Sequence, residues 1–147
     1  KVHSLVLELT GKKEPADGLQ AKFSVYHGCA AGLMFGKAGE AQYADAIVTR
    51  PDMVALRRQV VATVDEHMAE ASVDVTAVLK DGRKVHVFVK HAIGSLENPM
   101  TDAMLEGKFH DLSDPVIGRG RTDALIAACW KLAGTADVRT LTALARP

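Results

Sequence analysis

Two valine-rich stretches on either side of Asp81-Gly82 constrain the fold of this chain more than any other feature. Val73, Val75, Ala77 and Leu79 recur at every second position, as do Val85, Val87 and Val89. That is the period of a strand with one face buried. A two-residue Asp81-Gly82 turn pairs Lys80 with Arg83 and puts Val75 opposite Phe88 and Val87 opposite Thr76. A three-residue loop, Lys80-Asp81-Gly82, instead pairs Val75 with Val87 and Ala77 with Val85. Only the second register puts the apolar side chains on one face, so it predicts a G1-bulge turn with Gly82 left-handed.

Around this hairpin (73–79/83–91) the rest of the chain reads as an α+β fold. Its small antiparallel sheet has about four strands, packed with helices on one side. His3, Leu5, Leu7 and Leu9 alternate and predict a first strand, and 60–65 a further short one. Residues 11–18 are polar, contain Pro15 and read as a loop. Ser24 suits the N-cap of a helix running to about Gly36. Its stripes Val25/Cys29/Leu33 and Tyr26/Ala30/Met34 predict cover on most sides. Further helices are predicted over 41–47 and from Pro51, the latter carrying Val54, Ala55 and Arg58. Residues 91–100 read as a loop before a helix capped by Thr101, with Met104, Leu105, Phe109 and Leu112 on one face. Asp114 or Thr122 caps the next, which buries Leu125, Ile126, Cys129, Trp130 and Leu132 and ends at Gly134. Asp137 opens a last short helix.

At 147 residues the chain fits one domain, 1–147, with enough length for a core. Zero formal net charge and no basic stripe among aromatics argue against nucleic acid. No apolar run nears the roughly 18 residues needed to span a bilayer, which argues against a membrane. Cys29 and Cys129 are the only cysteines and read as two reduced thiols, which favours the cytoplasm. The six histidines lack metal-ligand spacing, so no metal site is expected. Gly118-Arg119-Gly120-Arg121 lacks the spacing of a nucleotide loop and reads as a flexible break between helices. The chain opens at Lys1 with a predicted strand already under way, so it reads as a piece of something longer.

The run from Lys22 to Gly32 is the one stretch suited to acid–base chemistry. It sets a cap, Ser24, a phenol, Tyr26, and an imidazole, His27, at the mouth of a helix of small residues. Free N–H groups at such a mouth favour a carboxylate. Tyr26 can donate or relay a proton and His27 accept one. The bland alternative is a tightly packed buried helix.

Taken in order, several motifs resemble the C-terminal domain of the MmgE/PrpD family. They are Lys22-Phe23-Ser24-Val25-Tyr26-His27, Gly36-Lys37-Ala38-Gly39 and Arg50-Pro51 with Val54-Ala55-Leu56, followed by the Asp81-Gly82 hairpin, Gly94 with Glu97-Asn98-Pro99-Met100, and Lys108-Phe109. The family includes 2-methylcitrate dehydratase, cis-aconitate decarboxylase and iminodisuccinate epimerase. The resemblance implies the lid domain of a larger two-domain cytosolic enzyme, acting without cofactor on small di- or tricarboxylates by proton abstraction beside a carboxylate. It implies an N-terminal helical domain of the same protein as partner, with homodimer contacts mainly in that domain. It assigns Tyr26 and His27 to catalysis, and Lys22 and Ser24 to carboxylate contact, Ser24 being also the plain helix cap. The helical domain's acidic, histidine and lysine residues, and a lid histidine upstream of Lys1, lie outside this sequence, so this chain alone should be inactive. Against this stands a non-catalytic interaction or assembly domain. A lid should hold Tyr26 and His27 at the edge of a concave surface, whereas an assembly module should pack both inside and carry an apolar patch elsewhere.

Overall fold

In the computed structural model, which describes residues 1–147, the hairpin takes the three-residue register. β1 (Val73–Val78) and β2 (Lys84–Val89) are antiparallel, with Val75 opposite Val87 and Ala77 opposite Val85. Gly82 has φ 84°, and its N–H donates to the Leu79 carbonyl at 2.9 Å. Asp81 closes the turn by accepting from the Arg83 backbone N–H at 3.0 Å and from its Nε at 2.7 Å. A Cβ on Gly82 would meet nothing within 4 Å, so alanine there is opposed by backbone conformation alone. Gly82→Ala should cost about 1–2 kcal/mol, and Gly82→Asn less. Urea unfolding should show this as a lower midpoint at unchanged slope.

The sheet has two strands, not about four. Neither further predicted strand forms: of 60–65 only Val64 makes a bridge, and the strand expected over 3–9 is absent, its place taken by a bridge at Val2 just ahead of it. Val2 bridges Val64 in parallel and Val73 in antiparallel, with the Val2 N–H donating to the Thr63 carbonyl and the Asp65 N–H to that of Val2, both at 3.0 Å. Past Val2 the chain coils into α1 (Ser4–Thr10), because the His3 Nδ1 accepts from the Leu5 N–H at 3.2 Å and caps a helix. Leu5, Glu8 and Leu9 face solvent and Val6, Leu7 and Thr10 turn inward, a helical spacing that the Leu5/Leu7/Leu9 alternation mimics over so short a run.

Next come α2 (Gly18–Ala21) and α3 (Val25–Phe35). α3 starts at Ser24 and ends at Gly36, which is left-handed at φ 70°. A 3-10 turn (Glu40–Tyr43), α4 (Asp45–Val48) and α5 (Pro51–Arg57) follow. The core lies where Ala30 and Ala31 of α3 meet Met53 of α5, flanked by Met34, Ile47 and Leu56. The alanines let the two helices approach closely. Residues 25–31 are buried or half-buried, so the first two turns of α3 are covered on most sides, as expected, while Leu33 and Phe35 near its end remain exposed.

The chain divides into two compact units, residues 1–99 and 100–147. The second holds α6 (Asp102–Ile117), α7 (Arg119–Trp130) and α8 (Arg139–Leu144). Thr101 caps α6 by accepting from the Met104 N–H at 3.2 Å. The break between α6 and α7 is Gly118 alone, at φ 78° and ψ 152°, a conformation open essentially to glycine. Neither Asp114 nor Thr122 is therefore needed as a cap: Asp114 lies within α6, and Thr122 is buried in α7 with its hydroxyl on the Gly118 carbonyl. Only Leu125 of the predicted apolar set is buried; Cys129, Trp130 and Leu132 are exposed and Ile126 is half-buried. α6 buries no residue. In this unit α6 packs on α7, and the Trp130 Nε1 donates to Glu106 at 2.7 Å. Two paired helices cover one stripe each and leave the rest open.

Candidate functional site

Residues 11–14 run beside the start of α3. Gly11 bridges Ser24, and the Lys12 N–H donates to the Phe23 carbonyl at 3.2 Å. Ser24 is buried, with its Oγ accepting from the His27 N–H at 3.1 Å. That hydroxyl is spent on capping.

His27 is 0% exposed. Its Nε2 lies 2.9 Å from the Gln42 carbonyl, which can only accept, so Nε2 carries the proton and Nδ1 is left as an acceptor. That Nδ1 is sealed and has no partner. The ring packs on Tyr43 at 5.1 Å between centroids, tilted by 59°. His27 therefore does not stand at a concave edge. A fully covered ring hydrogen-bonded to backbone holds α3 to the 3-10 turn rather than meeting a ligand.

Tyr26 is 5% exposed, with the Lys13 ammonium 6.0 Å from its ring centroid. No hydrogen bond within the chain holds its hydroxyl, yet that oxygen is not among the sealed polar atoms. Tyr26 is one of the residues lining a concavity of ≈ 250 Å³, with Lys13, Glu14, Arg57, Arg58 and residues 60–62. The pair expected exposed at one concave edge is not found there: both side chains are buried, and of the two only Tyr26 lines this hollow.

Lys22 and Ser24 line a different, mostly apolar concavity of ≈ 420 Å³ with Val25, Gly28, Cys29 and Tyr43. Lys22 Nζ sits 2.9 Å from Glu40 on the exposed rim. Burial pushes the Cys29 thiol and the Tyr43 phenol up, away from reactive anions. Tyr26, Lys22, Ser24 and His27 do not converge on one pocket.

Arg57 and Glu14 escaped the reading of the sequence. Arg57 is only 3% exposed. Its Nη1 donates to the Val48 carbonyl at 3.1 Å, its Nη2 lies 3.6 Å from Glu14, and its Nε is sealed without a partner. Glu14 accepts from the Arg58 Nε at 2.9 Å. That hydrogen bond, then the charges of Arg58 and Arg57, hold the Glu14 carboxyl below the usual glutamate range. The available signal was spacing: Arg57 lies four residues after Met53 and so on the core face of α5.

No group of three or more His, Cys, Asp or Glu side chains is placed to hold a metal ion. No helix is long and apolar enough to cross a membrane.

These elements define an α+β domain with a short, incompletely covered hairpin and a phenol set in a cationic hollow. The family model described as the MmgE/PrpD C-terminal domain matches residues 1–132. The chain belongs to the MmgE/PrpD family, which includes dehydratases and related enzymes. A C-terminal domain implies an N-terminal partner domain in the full protein. No curated protein matches the chain.

Proposed function

We propose that this chain is the lid domain of a cytoplasmic MmgE/PrpD-type lyase or isomerase acting on small di- or tricarboxylates by acid–base chemistry. It completes a site begun by the N-terminal helical domain, in a homodimeric enzyme that needs no cofactor. The observation that carries this reading is Tyr26: a phenol held by no hydrogen bond within the chain, in the lining of a hollow it shares with Lys13, Glu14, Arg57 and Arg58. Tyr26 donates to a substrate oxygen or returns a proton. His27 and Ser24 act on it from behind by fixing the first turn of α3, and Lys22 stays a rim cation facing the neighbouring hollow.

The apolar face of the hairpin supports a missing cover. Val75, Val85 and Val87 are exposed, and a two-stranded sheet is marginal without one. In this reading the N-terminal domain lies there. The same face, with His27 packed inside, also favours a second reading as a non-catalytic assembly domain. Assay of the intact protein on 2-methylcitrate, cis-aconitate and an iminodisuccinate-type substrate, beside residues 1–147 alone, separates the two. Turnover by the intact protein and none by the isolated chain is expected. An intact protein inert on every small polycarboxylate favours the assembly reading.

A further inference from the structure

The hollow beside Tyr26 holds three cations, Lys13, Arg57 and Arg58, and one carboxylate, Glu14. Glu14 is committed to Arg58 at 2.9 Å. Its distance to the Arg57 Nη2, 3.6 Å, is too long for a hydrogen bond. Lys13 meets only the face of the Tyr26 ring. The buried guanidinium is thus under-partnered, with one full hydrogen bond from five N–H donors and a sealed, orphaned Nε. A buried cation held so incompletely is costly unless an anion completes it.

We propose that this hollow is a carboxylate subsite in which Lys13, Arg57 and the Tyr26 hydroxyl take one carboxylate of a small di- or tricarboxylate, and that Glu14 is a built-in stand-in which the ligand displaces. The proposal rests on Tyr26 facing substrate and adds the groups that bind beside it. A planar guanidinium suits the two oxygens of a carboxylate, and the volume of ≈ 250 Å³ suits a small ligand. Glu14 lies on the 11–17 loop, outside the regular elements. Moving its side chain aside gives up the exposed pair with Arg58, which contributes little, and the looser 3.6 Å pairing with Arg57, which the incoming carboxylate replaces.

The test is calorimetric binding of tricarballylate, an unreactive tricarboxylate, to the intact protein and to three variants. Lys13→Ala should weaken binding about fivefold and Tyr26→Phe by a similar factor, each losing one contact of about 1 kcal/mol. Glu14→Gln keeps the shape but removes the competing charge, and should tighten binding about fivefold. Lys13→Ala and Tyr26→Phe remove no buried charge, whereas Glu14→Gln takes away the carboxylate nearest the buried Arg57, so circular dichroism and urea unfolding check that each variant folds. Wild-type protein that fails to bind the probe overturns the subsite. So does equal affinity across wild type, Lys13→Ala and Glu14→Gln, or inorganic phosphate bound as tightly as tricarballylate. If Tyr26→Phe abolishes turnover while Lys13→Ala and Glu14→Gln bind the probe like wild type, the subsite fails and the proposed function stands. If the probe binds as described but Tyr26→Phe turns over normally, the subsite stands and the catalytic reading of Tyr26 fails.

Discussion

Tyr26→Phe in the intact protein should lower kcat by about 10²-fold or more while leaving folding stability within about 0.5 kcal/mol. The asymmetry follows from geometry. The hydroxyl makes no hydrogen bond within the chain, so its removal strands no buried partner. The ring, which fills its place beside the helix start, is retained in phenylalanine. What disappears is the one hydroxyl among the residues lining the cationic hollow, and general acid catalysis by a positioned group contributes about 10²–10⁴-fold. Steady-state kinetics and urea unfolding of the same preparation read the two effects separately. Loss of stability with unchanged turnover would mark Tyr26 as a packing residue and sink the lid reading.

His27→Ala should show the opposite split, costing about 3–5 kcal/mol of stability. The ring is among the largest fully buried side chains, so its removal leaves a cavity against Tyr43. The Gln42 carbonyl also loses its donor, and an unpaired buried acceptor costs about 1–3 kcal/mol. A net stability of 5–15 kcal/mol is typical for a domain, so such a loss can bring unfolding within reach of modest heating. Urea or thermal unfolding measures it. An alanine variant as stable as wild type but with collapsed turnover would show that the imidazole meets substrate after all, against its complete burial.

These two neighbours look alike in sequence, a phenol and an imidazole in adjacent positions of one motif. A single helical step separates their fates, because adjacent residues point about 100° apart. Tyr26 is directed toward the 11–14 loop and α5, and His27 toward the 3-10 turn. Which direction is open depends on segments 12–36 residues away, which no local pattern encodes. Arg57 went unnoticed for a related reason: a buried arginine is unusual enough that spacing from Met53 alone is a weak signal, and its value comes from Glu14, 43 positions upstream, being folded against it.

Features set by local chemistry were legible in the residues themselves. The Asp81-Gly82 turn and its register, the Ser24 and Thr101 caps, the glycine end of α3 and Pro51 at the start of α5 each depend on backbone groups within a few positions. The order of motifs that resembles the MmgE/PrpD C-terminal domain belongs here too, and the family match bears it out. Whether His3–Leu9 is strand or helix was not decided by period, since seven residues satisfy both: the local His3 cap favoured the helix, and only tertiary structure decided that Val2 alone found strand partners, at Val64 and Val73. Tertiary structure also decided that the four residues marked for the site would not share one pocket, and that Arg57 and Glu14 would line the one Tyr26 faces. Caps and turns are resolved by energies acting along a few bonds. Pockets are made by distant segments excluding water together, and that is a property of the folded chain.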